Sequence, residues 1–320
     1  MKVLITGATG LVGSEIVRQC HVRGIAVNYL TTNKAKIVSA VNYQGFYWNP
    51  DTDEIDIRCF EGVTDIINLA GTNVAKKWNV EYKKRIISSR VNSLKTLYTA
   101  LQSIDRSGIH NIVSASAIGV YPDSLSNYYE EDEKRVNENF LGEVVDVWEK
   151  EVDVFRALGL KVSKIRIGIV LSVHGGALKE MARPIKNYVG AALGTGEQWQ
   201  SWIHINDLAR MFLFVLENEL EGVFNGVAPD PITNAKLTKE IAEAVGRPLL
   251  LPNVPEFVLK VVLGEMASVV LGSQRVSSKK IEGEGFLFNF RNICATLREI
   301  YKRNGAEGYA NDTTYTKEYI

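Results

Sequence analysis

Apolar residues fall into short runs and helical stripes that alternate along the first half of the chain. Val3 to Thr6 is a compact apolar run and predicts a strand. Leu11 to Arg23 places Leu11, Ile16, Val17 and Cys20 at helical spacing, with Gly24 as its stop. Ile25 to Leu30 and Thr64 to Leu69 predict further strands. Glu81 to Asp105 predicts a long helix whose inner face carries Ile86, Val91, Leu94, Leu97, Tyr98 and Leu101. Asn111 to Ser116 predicts a strand and Glu138 to Leu158 a helix. Lys161 to Leu171, β-branched and apolar, predicts a strand again. Strands separated by helices pair in parallel through right-handed crossovers. The predicted fold class is α/β, an open doubly wound parallel sheet of the Rossmann kind.

The alternation weakens after about residue 171, where Gly175, Gly176, Gly190, Gly194 and Gly196 punctuate a loop-rich stretch. Helices are predicted from Asp207 to Asn218, capped at Asn206 or Asp207, from Thr233-Asn234 to Val245, and from Pro255 through Val270. The expected organisation is a dinucleotide-binding unit over 1–171 and a smaller C-terminal cap over 172–301, with some segments returning to the sheet. A polar, mobile tail is expected over 302–320.

Composition narrows the field. The 320 residues balance 37 Lys+Arg against 37 Asp+Glu, so no bulk charge draws the chain to nucleic acid or anionic lipid. No apolar run is long enough to span a bilayer, and the chain opens on a strand rather than a leader peptide. Cys20, Cys59 and Cys294 form no close pair, which fits free thiols in a reducing compartment. No metal-site spacing is present, and His21 and His110 read as surface residues. The expectation is a soluble, cytoplasmic protein with a small-molecule substrate and no nucleic-acid or membrane partner; a homodimer is compatible with it.

The strongest chemical signal is Thr6-Gly7-Ala8-Thr9-Gly10-Leu11-Val12-Gly13, lying between a strand and a helix. In this context Gly7 permits the tight turn, Gly10 lets backbone N–H groups approach a pyrophosphate, and Gly13 lets the helix pack closely on the sheet. The helix N-terminus favours the negative charge. Thr9, Leu11 and Val12 complete the loop. An acid at the end of the second strand normally binds the ribose 2′-hydroxyl of NAD. Here that stretch reads Thr31-Thr32-Asn33-Lys34, with no acid. Two hydroxyls and Lys34 suit a 2′-phosphate, so NADP(H) is expected ahead of NAD(H). Asn68-Leu69-Ala70-Gly71 ends the next strand of this half with a small-residue turn suited to backbone contact with the nucleotide.

The glycine pattern and Asn68-Leu69-Ala70-Gly71 resemble the extended short-chain dehydrogenase/reductases, and more narrowly their atypical epimerase-like family. Further matching segments are Ser89-Arg90-Val91, Ser114 to Tyr121, Phe140-Leu141, Val147-Trp148-Glu149, Ser201 to Ile205, Asp207-Leu208, Gly264 to Ala267 and Ser273 to Val276. The resemblance implies NADP(H) binding in the N-terminal unit. It places Thr31 and Thr32 near the 2′-phosphate, Leu69 and Ala70 along the nucleotide, and Arg90 and Val170 at the lining. Many relatives carry Arg where this chain has Thr31-Thr32.

Short-chain reductases use a Tyr-x-x-x-Lys pair in which the ammonium lowers the phenol pKa. None of the 13 tyrosines here has lysine four residues on, and the corresponding segment reads Phe140-Leu141-Gly142-Glu143-Val144. The remaining candidates for catalysis are Ser114 and Ser116 at a strand's carboxyl end, Tyr121 as the best remaining phenol, Glu143 if buried, and His204. Trp199 and Trp202 are candidate stacking faces at a substrate mouth, and Arg166 is expected to meet the cofactor or a carboxylate. Each also has a structural reading, Tyr121 as packing and His204 as part of an alternating strand among them. Three functions stay open: an NADP-dependent oxidoreductase or epimerase with altered acid/base chemistry, a non-catalytic NADP(H) sensor or scaffold, and an epimerase that retains NAD.

Overall fold

The computed structural model describes residues 1–307. Its principal elements are β1 (Lys2–Thr6), α1 (Leu11–Val22), β2 (Ala26–Thr31), β3 (Tyr43–Asn49), β4 (Asp65–Asn68), α2 (Val80–Gln102), β5 (Asn111–Ala117), α3 (Phe140–Asp153) and β6 (Lys161–Ile167). There follow β7 (Ile169–Leu171), α4 (Ala177–Lys186), β8 (Trp202–His204), α5 (Ile205–Glu217), β9 (Gly222–Gly226), α6 (Asn234–Ala244), α7 (Glu256–Leu263) and α8 (Ala267–Leu271). A last helix covers Ile293–Glu307. The expected tail thus begins inside this helix, and the rest of it lies outside the described residues.

Seven strands run in parallel in the order β9-β6-β5-β4-β1-β2-β3. Two short antiparallel segments, Ser39–Ala40 and Glu54–Ile55, flank β3. Strand order reverses between β1 and β4, which opens a crevice at their carboxyl ends where ligands bind in such sheets. Helices α1 and α5 pack together on one side, α2 and α3 on the other. Val3, Leu4, Ile5, Ile66, Ile67, Ile112, Val162 and Ile165 are fully buried between them. Each such side chain contributes about 2 kcal/mol of transfer free energy, so the near-continuous apolar runs of these strands follow from burial on both faces. Leu178, Trp202, Ile232, Leu237, Ile241 and Leu297 form a separate C-terminal core.

Three departures from the sequence pattern matter for the site. First, β3 has no clean alternation and was not expected. Its Gly45 is required because a Cβ there would sit 2.5 Å from the ring of Tyr29. Second, the expected strand Lys161 to Leu171 divides at Gly168, where a Cβ would lie 2.4 Å from the Ser201 carbonyl oxygen. The chain leaves the main sheet there, and β7 pairs with β8 instead. Third, the helix expected from Pro255 through Val270 breaks at Gly264, whose φ is +60°. The segment Gly222–Gly226 returns to the sheet beside β6.

Candidate functional site

The loop between β1 and α1 is built by steric necessity. Gly7 has φ +71°, and a Cβ on it would press on the Leu69 carbonyl at 3.0 Å. A Cβ on Gly13 would lie 2.2 Å from the Gly7 carbonyl oxygen, so only glycine lets α1 start this close to the loop. Gly10 caps α1 without a side-chain hydrogen bond, and no acidic residue stands in its first turn. The helix therefore presents uncapped N–H groups and the positive end of its dipole to the crevice. Thr6 clamps the neighbouring turn: its Oγ1 donates to Asn68 Oδ1 at 2.8 Å and accepts from the backbone N–H groups of Leu69 (3.0 Å) and Ala70 (3.1 Å). Gly175 and Gly176 lie against Leu11, so the segment after β7 closes over the start of α1.

Beside this cradle stands Arg90, from α2. Its guanidinium abuts Gly71, where a Cβ would be 3.1 Å from Cζ, and lies 4.8 Å from the Trp148 ring centre. Nη1 donates to the carbonyls of Ile86 (2.9 Å) and Thr72 (3.2 Å), but no carboxylate pairs with it among the described residues. Its Nε and the Trp148 indole Nε1 are both buried without an acceptor. Burial pulls the Arg90 pKa down to about 10, which leaves it charged at neutral pH. A cation held in a dry place with an unmet donor, against the Gly71-Thr72 end of the turn that Thr6 clamps, fits an anionic group. At the end of β2, Thr31 is buried and its Oγ1 accepts from the Asn33 N–H, while Thr32 is exposed. Lys34 Nζ lies 4.5 Å from the Tyr47 ring centre, which holds a positive charge at this edge. Val170 is partly buried in β7.

The structure corrects the catalytic candidates one by one. Ser114 is fully buried. Its Oγ accepts from Asn68 Nδ2 at 3.0 Å and donates to the Ala115 carbonyl, which uses its capacity inside the sheet. Ser116 donates to Glu149 Oε1 at 2.6 Å. Arg166 grips the same carboxylate with both arms, Nε to Oε1 at 2.8 Å and Nη2 to Oε2 at 3.0 Å. So Arg166 does meet a carboxylate, but one supplied by α3 of its own chain. Its Nη1 donates to the Tyr121 hydroxyl at 3.0 Å, and that hydroxyl donates to Asn225 Oδ1 at 2.7 Å. Tyr121 is fully buried, and burial pushes its pKa up to about 12. It is a buried phenol whose hydroxyl is engaged both as donor and as acceptor within the protein. Burial alone would raise the Glu149 pKa, but Arg166, Ser116 and Lys164 together hold it below the usual range.

Glu143 fails for the opposite reason. It is exposed, on the rim of a cavity also lined by Trp78, Lys83, Phe140 and Glu265, and so lacks the burial a proton donor needs. Phe140 packs edge-on against Trp78, and Val144 is buried. His204, expected as a donor, is instead the cap of α5. Its Nδ1 accepts from the Asn206 N–H at 3.2 Å, and its ring stacks on Phe290 at 3.7 Å. This also replaces the expected cap at Asn206 or Asp207. Asp207 is fully buried and accepts from the Asn289 and Phe290 N–H groups. Trp202 is fully buried, its Nε1 donating to the Asp230 carbonyl, so it belongs to the C-terminal core. Trp199 is partly buried and remains accessible. His21 is half-buried against Tyr43 rather than on the surface. Among the described residues no cluster of three or more His, Cys, Asp or Glu side chains could hold a metal ion, and no helix is long and apolar enough to cross a membrane.

The sequence reading missed Glu149 and Asn225 as the partners that disarm Ser116, Arg166 and Tyr121. Glu149 carried one signal: on α3 it falls on the same face as the apolar Val145 and Val152, where a carboxylate needs a partner. Asn225, on a strand that the sequence did not reveal, carried none.

Comparison with known proteins agrees with this architecture. Residues 3–144 match the NAD dependent epimerase/dehydratase family, and residues 254–300 match a domain of unknown function, DUF1731. An epimerase family protein of Staphylococcus aureus (strain NCTC 8325 / PS 47) is 36% identical over 307 residues, covering 94% of this chain and 99% of the relative. The crystal structure of human epimerase family protein SDR39U1 (isoform 2) with NADPH superposes with a TM-score of 0.81 at 28% identity, over 94% of this chain and 99% of the human one. UDP-glucose 4-epimerase of Thermus thermophilus, in complex with NAD, has a TM-score of 0.72 at 20% identity over 94% of this chain and 99% of its own; that likeness is one of fold. Sheet order, glycine loop and full-length relatives together place the chain in the epimerase family, as an atypical extended short-chain dehydrogenase/reductase.

Proposed function

We propose that this protein binds NADP(H) in the β1–α1 cradle and acts as an oxidoreductase or epimerase-like enzyme on a small carbonyl or nucleotide-sugar-like molecule, without a Tyr-x-x-x-Lys pair. The observation that carries the reading is the set of unmet donors at one crevice: the uncapped start of α1 and the Arg90 guanidinium, which no carboxylate among the described residues neutralises. The human relative solved with NADPH supports the same choice of cofactor. A bound nicotinamide dinucleotide supplies hydride chemistry. The chain's own residues bind and orient. The α1 N–H groups and Arg90 hold phosphate charge, Thr32 and Lys34 face the 2′-phosphate, and the Gly175-Gly176 segment covers Leu11 and excludes water. With Ser114, Ser116 and Tyr121 engaged in the protein's own hydrogen bonds, proton exchange falls to ordered water or to the substrate itself.

That last point favours a second reading, a non-catalytic NADP(H)-binding sensor or scaffold. Two measurements separate them. Mass spectrometry of the nucleotide that co-purifies, with fluorescence titration of NADPH against NADH, tests the cofactor. A panel of carbonyl compounds and nucleotide sugars, followed by loss of NADPH absorbance, tests the reaction. Tight NADPH binding with no turnover on any of them leaves the sensor reading. Binding of NAD alone overturns the NADP assignment.

A further inference from the structure

A second unpaired guanidinium lies on the C-terminal side of the molecule. Arg275 sits in the short strand Arg275–Val276, which pairs with Tyr128–Tyr129 on the loop that follows β5. Its Cζ lies 4.4 Å from the ring centre of Trp199 and 5.2 Å from that of Tyr128, so two aromatic side chains hold the group. Arg275 is partly buried, and its Nε is buried with no acceptor. No hydrogen bond and no carboxylate reaches this guanidinium among the described residues. Lys279 brings a second cation to the Tyr128 ring, at 6.0 Å.

Arg166 shows what such an arrangement normally contains. It too lies over an aromatic ring, Tyr121 at 5.0 Å, but each of its three nitrogens donates a hydrogen bond, to Glu149 or to the Tyr121 hydroxyl. Arg275 keeps the aromatic contacts and lacks the carboxylate. Ring faces answer its charge but accept its N–H groups poorly, and a partly buried fork of five donors is matched geometrically by a carboxylate or a phosphate.

We infer that Arg275, oriented by Trp199 and Tyr128, is an oxyanion subsite that takes a phosphate or carboxylate group of a small-molecule ligand. Lys279, also over the Tyr128 ring, adds positive charge near this group. The inference rests on the reading above of an enzyme acting on a small carbonyl or nucleotide-sugar-like molecule, and it narrows that substrate class to molecules carrying such a group. Arg90 and Arg275 then divide the work, one facing the cofactor and the other the substrate.

Isothermal titration calorimetry with inorganic phosphate and, separately, malonate tests this, on protein with and without saturating NADPH. The two probes tell a phosphate subsite from a carboxylate one. The expected result is binding of one anion to the NADPH-loaded protein, weakened about tenfold or more in Arg275→Leu. Arg275→Lys keeps the charge without the fork and recovers only part of the affinity. NADPH affinity is unchanged in both variants. If Arg275→Leu does not fold, Trp199→Phe takes its place: it weakens the stacking that aims the fork and lowers anion affinity without removing charge. Equal anion binding by wild type and Arg275→Leu, or no binding of either anion to wild type, overturns the subsite. Wild type that binds the anion through Arg275 but not NADPH overturns the cofactor reading and keeps the subsite; NADPH binding without anion binding does the reverse.

Discussion

The polar ring under the serine strand and the glycine cradle are built into the same sheet, the first around β5 and β6 and the second around β1 and β4. Both contain groups that sequence reasoning marks as chemical. In the ring every strong donor finds an acceptor. Ser116 and Arg166 converge on Glu149, Arg166 reaches Tyr121, Tyr121 reaches Asn225, and Asn225 Nδ2 donates to the Ser277 carbonyl at 3.0 Å. In the cradle Arg90 Nε has no acceptor and the start of α1 has no side-chain cap. A satisfied buried network fixes one packing and resists substitution, whereas unmet donors mark the place where something else binds. The ring links β5, β6 and α3 to β9 and to the segment around Ser277, so it joins the first half of the chain to its C-terminal part. Its residues look catalytic in the sequence because a structural ion pair and an active site use the same side chains.

The contrast is broken most severely at Arg166. Arg166→Leu strands a buried Glu149 and should cost about 3–5 kcal/mol of folding free energy, read by urea denaturation, with NADPH affinity of the folded fraction unchanged. A loss within the range of a surface pair, below about 1 kcal/mol, would show that the ring does not hold the two halves together. Acid tests the same ring by another route. Because the folded pKa of Glu149 is depressed, its contribution is present above the ordinary glutamate range and is lost as pH falls through the lowered value. Unfolding midpoints of wild type should therefore fall more steeply on acidification than those of Glu149→Gln; parallel profiles would contradict the assignment.

Smaller effects sharpen the comparison. Tyr121→Phe leaves Arg166 and Asn225 each short of a partner and should cost about 1–3 kcal/mol, with no change in NADPH binding. A loss of turnover without loss of stability would return Tyr121 to the list of catalytic candidates. Thr32→Glu should weaken NADPH by repulsion of the 2′-phosphate while leaving NADH nearly untouched, read by fluorescence titration. Equal loss for both cofactors would move the 2′-phosphate away from Thr32 and Lys34.

The legible parts of the molecule are those whose cause is local. The turn at Gly7, the approach at Gly13 and the helical stripes of α1 and α2 are fixed by neighbours a few residues away, and the sequence pattern places them to within a few positions. The illegible parts depend on distant contacts. Tyr121 and Asn225 are 104 residues apart, and nothing around either one announces the other. β3 is formed by pairing against β2 and by the Tyr29–Tyr43 stack at 4.5 Å rather than by its own alternation. The break at Gly168 follows from Ser201 crossing beside it. His204 reads as a strand residue or a proton donor until the next element proves to be a helix that it caps. Glycine loops and amphipathic faces are therefore readable in the sequence, whereas whether a polar residue is free to react is decided by tertiary partners.

Arg90 gives the most direct measurement. If its charge is held for a nucleotide phosphate, Arg90→Leu removes a buried unpaired cation, so stability holds or rises. NADPH affinity in calorimetry should drop about 10- to 100-fold, the worth of hydrogen bonds to a charged group. NADPH binding by Arg90→Leu as tight as by wild type, or no binding of NADPH to folded wild type at millimolar concentration, would contradict the account.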